Sequence, residues 1–282
     1  MLRGPLSRIL VDTGSMLKYI HNDNFTKAVI KVCLILFAYQ SHPKYKLIVA
    51  ANRDEFYKRP TAPVHYWQDH PQILAGRDLE KMGTWMGVTT TGRFAALTNY
   101  RNPQEKTEGK RSRGELVANF LKTHEISKDY LKKVKVERDL YPGYNFLAGD
   151  ANELYYYSNV EDTVKRLDPG IYGVSNHLLN TAWPKVQRGK EGLSQIVGDS
   201  VEQMTEKLLN LLQNADPFPD ELLPNTGVSQ EWERILSPLF IKSEGYGTRS
   251  STVVLMSEGE IYYRERVFVA ENSKDQEYTI HL

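Results

Sequence analysis

The stretch CLILFAYQSHPKYKLIVAANRDE, residues 33–55, decides the fold of this chain. Residues 33–39 and 45–51 are short runs rich in Leu, Ile, Val and aromatic residues, and the SHPK segment between them supplies turn residues. Two such runs on either side of a turn predict a hairpin of well-buried strands. Cys33 is the only cysteine of the chain and begins the first strand. It is therefore either a small core residue or a nucleophile.

Further hairpins and helices follow in an order that predicts the fold class. The segment SRGELVANFLK has helical spacing of its apolar residues behind Ser112 as a candidate N-cap. After the first hairpin, strands are predicted at 84–89, 93–98, 144–148, 154–157, 251–256, 260–265, 267–270 and 277–282, and helices at 112–122, 129–133 and 200–213. Because the strands come in adjacent antiparallel pairs, and not singly between helices, this order predicts an α+β fold.

The composition excludes several classes of protein. A chain of 282 residues with 40% hydrophobic and 25% charged residues is ordinary for a globular protein. A formal net charge of +1 gives no electrostatic case for nucleic acid, and no apolar run approaches the roughly 18 residues of a membrane-spanning helix. The seven histidines are scattered without metal-ligand spacing, so no metal site is predicted. One cysteine cannot form an internal disulfide, so we expect a reducing compartment, the cytoplasm.

The first 32 residues differ from the rest of the chain. They contain neither the continuous apolar core of a signal peptide nor a clean strand or helix pattern. Dense strand patterns begin abruptly after Val32. We therefore expect residues 1–32 to be an extension and residues 33–282 to form a single domain.

Polar side chains follow four of the predicted strands where each strand begins or ends. They occur in Asn52-Arg53-Asp54-Glu55, in residues 98–102 and 173–176, and in residues 245–249 ahead of the strand SSTVVLM. Four such strand ends would converge on one site, beside the strand that Cys33 begins. The alternative is that NRDE has a structural role, in which its arginine bridges carboxylates and its asparagine satisfies the hydrogen bonds of a turn.

These residues also carry a resemblance to a known family. The motifs CLILFAY, LIVAANRDEFYKRP, MGTWMGV, GRFAALTNYRNP, RGELV, YGVSNHLLNTAWPK and GYGTRSSTVVL resemble those of the NRDE family, the transport and Golgi organisation 2 proteins, in the same order. The resemblance covers residues 33–282. It implies a fold like that of the N-terminal nucleophile hydrolases, with two stacked antiparallel sheets between helices in four layers, αββα. The outline is most similar to the cysteine branch, which includes bile-salt hydrolases.

In that branch the thiol attacks an amide carbonyl, and the free α-amino group of the same cysteine is the base. An α-amine has a pKa of about 7.7–8.0, so it can accept a proton near neutral pH. Cys33 is preceded by 32 residues and has an amide nitrogen in the chain as written. Either Val32 is the true initiator, read as methionine from a GTG codon, or the extension is removed between Val32 and Cys33. We favour the first explanation.

The resemblance assigns roles to several residues of this sequence. Cys33 is the nucleophile, Asn99 donates to the oxyanion, Asn176 holds the amine or substrate, and Arg249 lowers the pKa of the thiol. Arg53 belongs to the catalytic set with Asp54, although Asp54 and Glu55 remain alternatives for the carboxylate that orients the amine. The expected substrate-binding residues are Asn52, Glu55, Trp85, Tyr100 and His177.

Two functions follow from this reading. The first is a cytoplasmic cysteine amidohydrolase that cleaves a linear amide and needs no cofactor. The second is a non-catalytic protein that uses the same pocket to bind and carry a small molecule, either haem or a lipid-like compound. In that case the thiol binds haem iron or simply lines the pocket.

Overall fold

The computed structural model describes residues 32–269 and 272–282. This part of the chain contains thirteen strands and five α-helices. The strands are β1 (Cys33–Tyr39), β2 (Leu47–Phe56), β3 (Thr61–Tyr66), β4 (Ile73–Asp78), β5 (Met86–Thr89), β6 (Phe94–Asn99), β7 (Tyr144–Gly149), β8 (Leu154–Ser158), β9 (Thr163–Arg166), β10 (Gly170–Val174), β11 (Tyr246–Met256), β12 (Glu260–Val269) and β13 (Asn272–His281). The helices are α1 (Gly114–Lys122), α2 (Ser127–Val136), α3 (Pro184–Ile196), α4 (Val201–Leu212) and α5 (Gln230–Ile235).

The strands form two antiparallel sheets that lie between two layers of helices. One sheet has the order β10-β1-β2-β11-β12-β13 and the other has the order β3-β4-β5-β6-β7-β8-β9. Helices α3 and α4 pack on the first sheet, whereas α1 and α2 pack on the second. The predicted α+β class and its four-layer αββα sandwich are confirmed.

Alternation along each strand separates the inner core from the two outer ones. In β1, Ile35 and Phe37 face the second sheet, while Leu34 and Leu36 face α3 and α4. Gly189 of α3 lies directly against Leu36, because a Cβ at that glycine would stand 2.6 Å from Leu36 Cδ1. The small residue lets the helix approach β1 closely.

The elements that the sequence did not predict carry atypical patterns. Strand β3 contains a proline, β10 contains two glycines, β9 is short and largely exposed, and β4 ends in the polar segment GRD. Helix α3 carries two glycines, which lower its helical propensity. The hairpins β7–β8 and β11–β12 and the helix α4 are confirmed.

Two local predictions were wrong. Strand β2 does not end at Ala51 but continues through NRDE to Phe56, because β11 pairs with it as far as Phe56 and β1 pairs with Asn52 and Arg53 on the other side. Ser112 is not the N-cap of α1. Arg113 occupies that position and makes no side-chain capping hydrogen bond.

The predicted division of the chain stays a prediction. Residues 1–31 of the expected extension lie outside the described residues, as does the end of the predicted strand at 267–270. Within residues 32–269 and 272–282, no helix is both long and apolar enough to cross a membrane.

Candidate functional site

A cavity of about 830 Å³ opens between the two sheets, at the end where β1 begins. Strands of both sheets and the start of α1 contribute to its wall. Of the predicted site residues, those that line the cavity are Cys33, Arg53, Asp54, Glu55, Trp85, Asn99 and Arg249. Asn52, Tyr100, Asn176 and His177 do not line it.

A row of cross-strand neighbours forms one wall of the cavity. Cys33 pairs with Arg53, Arg53 with Ser250, Ser250 with Val267, and Val267 with Lys274. Directly paired residues of an antiparallel sheet project from the same face, so these five side chains stand side by side. All five line the cavity. The register of the sheet therefore places the cysteine and the arginine of NRDE together.

Cys33 is nearly enclosed within this wall. This residue is 8% exposed. Burial, together with the nearby Asp54 charge, raises the pKa of the Cys33 thiol to about 12, and the Arg53 charge opposes the shift only in part. The thiol of the intact chain is therefore almost entirely protonated at neutral pH.

The residue before Cys33 is held as firmly as the cysteine. Val32 is fully buried against Leu236, Ile241 and Tyr246. Its N–H donates to the hydroxyl of Tyr246 at 2.8 Å. While this residue is attached, the nitrogen of Cys33 is an amide and cannot act as a base.

Asp54 projects to the opposite face of β2, toward α3. Its Oδ1 accepts a 2.6 Å hydrogen bond from Thr248 Oγ1, while its buried Oδ2 has no hydrogen-bond partner within the described residues. Lys185, at the start of α3, is also buried, and its Nζ donates to Leu236 O at 3.0 Å. Burial raises the pKa of Asp54 and lowers that of Lys185, and the two charges stabilise one another. A buried carboxylate and a buried ammonium thus lie behind the nucleophile.

Asn99 and Asn176 join the two sheets beside Cys33. Asn176 is fully buried and donates from Nδ2 to Asn99 O at 2.9 Å. The adjacent Ser175 donates its hydroxyl to Cys33 O at 2.8 Å. Cys33, Asn99 and Asn176 are therefore neighbours, as expected, but their catalytic roles stay predictions.

The predicted role of Asn52 does not fit its position. Asn52 faces the helices, where its Nδ2 donates to Leu212 O at 2.8 Å and to Leu239 O at 2.7 Å. Its Oδ1 accepts from Ser251 Oγ at 2.6 Å. The side chain therefore anchors α4 and the loop before β11 to the sheet, and cannot reach a ligand in the cavity. The described contacts of Asn52 are therefore structural, although they hold a helix end and a loop and not the turn of the alternative.

Arg249 is also used differently from its predicted role. It is the extra residue of a β-bulge, since Thr248 pairs with Asp54 and Ser250 with Arg53. Its Nη1 donates to the carbonyl oxygens of Phe56, Tyr57 and Arg59, and its Nη2 donates to Thr61 Oγ1. The charge of Arg53 lowers the pKa of the thiol, and the role predicted for Arg249 stays a prediction.

The remaining predicted binding residues divide into two groups. Glu55 and Trp85 line the cavity, and Glu55 Oε2 lies 3.7 Å from Arg53 Nη2. Tyr100 Oη lies within hydrogen-bond distance of His177 Nε2, at 3.0 Å, while His177 Nδ1 lies 2.9 Å from Thr181 Oγ1. These two side chains bind each other outside the cavity wall.

The sequence patterns did not mark Arg113 and Lys185 as site residues, although the two residues lie in the motifs RGELV and TAWPK. Each is a cation at the start of a helix, where the helix dipole disfavours positive charge. That local conflict was the available signal. Among the described residues, no group of three or more His, Cys, Asp and Glu side chains is placed to hold a metal ion.

Comparison with known proteins places this fold and site in a family. The family model described as Transport and Golgi organisation 2 matches residues 32–270. The human Transport and Golgi organization protein 2 homolog is 36% identical over 256 residues, which cover 83% of this chain and 92% of the human protein. The Drosophila melanogaster Transport and Golgi organization protein 2 is 32% identical over 262 residues, covering 83% of this chain and 91% of the fly protein.

Solved structures with a similar outline are much more distant. A Caenorhabditis elegans N-acylethanolamine-hydrolyzing acid amidase ortholog is 11% identical with a TM-score of 0.44, covering 79% of this chain and 92% of that chain. A variant of the conjugated bile acid hydrolase from Clostridium perfringens is 9% identical with a TM-score of 0.37, covering 91% of this chain and 90% of that chain. The family model and the curated relatives confirm the resemblance of the motifs, and the chain belongs to the Transport and Golgi organisation 2 family.

Proposed function

We propose that this protein is a cytoplasmic cysteine amidohydrolase that cleaves a linear amide, with Cys33 as the nucleophile and its own α-amine as the base. The observation that carries the proposal is the placement of Cys33 at the head of β1, in the wall of the cavity and opposite Arg53. The Asp54 carboxylate interacts with this cysteine, and one of its buried oxygens has no donor among the residues that the structure describes. An ammonium group on Cys33 would supply such a donor.

The proposed reaction has two halves. The α-amine takes the thiol proton while sulfur attacks the amide carbon, and the carbonyl electrons move to oxygen, which Asn99 stabilises. Collapse of this intermediate breaks the C–N bond of the substrate and leaves a thioester on Cys33. The leaving amine takes the proton that the α-ammonium holds. Water then attacks the thioester with the same α-amine as base, the C–S bond breaks to release a carboxylic acid, and the Cys33 thiolate takes the proton from the α-ammonium. Asp54 orients the α-amine in both halves.

This chemistry requires a chain that begins at Cys33. With Val32 attached, the base is missing and the thiol has a pKa of about 12. A thiol of that pKa has a negligible thiolate fraction at neutral pH. We therefore expect the chain that retains Val32 to be inert.

The test compares two purified chains whose first residue is verified by intact mass, one beginning at Cys33 and one beginning at Val32. At pH 6.5 we expect iodoacetamide to label the first roughly tenfold faster or more, because its thiol has a base beside it. A panel of N-acyl amino acids, penicillin V and bile-salt-like amides then tests turnover, with Cys33→Ala as the inactive control. Equal labelling of the two chains, or full turnover by Cys33→Ala, would refute the proposal.

A second function is favoured by the burial of Val32. An intact chain has an enclosed thiol, no free amine beside it and a cavity of about 830 Å³, which suits a non-catalytic carrier of a small molecule. Haem is one such ligand. Among the described residues that line the cavity there is no His or Met, so Cys33 is the side chain there that would bind haem iron. Haem titration of the chain that retains Val32 would give a Soret band that is lost in Cys33→Ala if this function is correct.

A further inference from the structure

The cavity contains an excess of positive charge. Among the described residues that line it, nine are Arg or Lys and five are Asp or Glu. Three of the six arginines among these residues are neutralised by neighbouring carboxylates. Arg59 pairs with Asp78, Arg77 with Asp69, and Arg111 with Glu115 and Glu137.

Arg113 differs from these paired arginines. Within the described part of the chain, no carboxylate lies within 4 Å of its guanidinium, and its hydrogen bond from Nη1 goes to the neutral carbonyl of Gly143 at 2.8 Å. Burial lowers the pKa of Arg113, and the charges of Glu105, Cys33 and Glu55 oppose that shift only in part. A half-buried guanidinium in this position would be stabilised by an anion.

The backbone around Arg113 holds it in the wall of the cavity. The loop between β4 and β5 crosses the start of α1 through two glycines, because a Cβ at Gly83 would stand 2.6 Å from the carbonyl carbon of Gly114. The N–H of Thr84 also donates to Gly114 O at 3.2 Å. Arg113 therefore sits at a fixed position in the same cavity as Cys33 and Arg53, and its charge interacts with Cys33.

We propose that Arg113, together with Arg53, forms an anion-binding subsite beside Cys33, and that the substrate is an amide bearing a carboxylate or a phosphate-like group. A guanidinium suits both anions, because its N–H groups match their oxygen atoms in pairs. Arg53 contributes its charge from the strand position paired with Cys33, where Glu55 Oε2 lies 3.7 Å from its Nη2. This inference deepens the proposed function and rests on it for the chemistry, but not for the binding.

The experiment measures equilibrium binding by calorimetry in the Cys33→Ala protein, so that turnover is not needed. Three matched ligands are compared: N-hexanoylglycine, the phosphonate analogue N-hexanoyl-aminomethylphosphonate, and the neutral N-hexanoylglycinamide. We expect at least one anion to bind roughly 10- to 100-fold more tightly than the neutral amide, as for a hydrogen bond to a charged group. The tighter anion identifies the carboxylate or the phosphate-like class.

Matched arginine variants then locate the subsite. Arg113→Gln should abolish the preference for the anion, Arg113→Lys should restore part of it through its charge, and Arg111→Gln should leave it unchanged because Arg111 is already paired. Equal affinity for all three ligands, no binding of either anion at millimolar concentration, or equal losses in the Arg113→Gln and Arg111→Gln proteins would overturn the inference. Because binding is measured in the Cys33→Ala protein, which has no thiol, these outcomes do not depend on whether the amidohydrolase proposal is correct.

Discussion

Asn52 and Arg53 are adjacent in the sequence, yet β2 sends their side chains to opposite faces of the sheet. Arg53 faces the cavity beside Cys33, while Asn52 binds two carbonyl groups among the helices. Side chains alternate between the two faces of a sheet only within a strand. If NRDE is taken as the end of β2, its side chains have no defined faces, but if it is taken as part of β2, Asn52 and Arg53 must face opposite sides. The residues of NRDE therefore have two kinds of role, and only alternation along the strand separates them.

Replacement of Asn52 tests its structural role. In Asn52→Ala, the carbonyls of Leu212 and Leu239 lose their buried donor, so we expect unfolding to require about 2–5 kcal/mol less free energy. Urea denaturation measures this change. The matched variant Arg53→Ala should alter stability by less than about 1 kcal/mol, because its side chain faces the cavity and not the core. A stable Asn52→Ala protein that had lost ligand binding would contradict this assignment.

Helix α3 begins with a buried cation that ordinary helix design would avoid. Lys185 is its second residue, and its ammonium donates to the carbonyl of Leu236, which packs against Val32. The groups whose charges reach it are Arg101, Asp54, Cys33 and Glu233, and Arg101 is itself paired with Glu233 at 3.0 Å. Asp54 is therefore the carboxylate left to balance the lysine, and α3 is tied electrostatically to β2.

A double-mutant cycle tests this tie between the two elements. Asp54→Asn and Lys185→Met should each destabilise the protein by about 3–5 kcal/mol at pH 7, because the remaining buried group either keeps its charge without a partner or must be neutralised. The double variant should lose less than the sum by about 1–3 kcal/mol. Additive losses would show that the two groups do not interact.

The pH dependence of Lys185→Met gives an independent check. Burial raises the pKa of Asp54, so the native state keeps that proton at pH values where the unfolded chain has released it. The free energy of unfolding therefore falls as the pH rises through this range. In Lys185→Met the pKa of native Asp54 is higher still, because the lysine charge no longer lowers it, so the fall continues to higher pH. Between pH 5 and pH 8, urea denaturation of the variant should show a steeper decline than that of the natural chain.

At the scale of the whole molecule, the hairpins of the sequence predicted the α+β class. The family resemblance implied the four layers and assigned Cys33, Arg53, Asn99 and Asn176 to one site. The sequence did not predict β3, which contains a proline, or α3, which contains two glycines, because these residues weaken the local strand and helix patterns. It also failed where tertiary pairing decides the outcome. The continuation of β2 depends on β11, about 190 residues later, and the anion-binding role of Arg113 depends on which arginines find carboxylates.

The charge of the whole chain is nearly balanced, at +1, while the cavity carries four more basic than acidic residues. Such a cavity should attract anions to Cys33, the only thiol present. We expect the rate of alkylation by iodoacetate relative to iodoacetamide to exceed that of a free cysteine derivative about tenfold at low ionic strength. Because the thiol pKa is about 12, both rates rise with pH over the working range, and the ratio must be measured at one pH, for example pH 9. In 0.5 M salt the Debye length falls to about 4 Å, so the ratio should approach that of the free thiol. A ratio that did not change with salt would show that the field of the cavity does not act at Cys33.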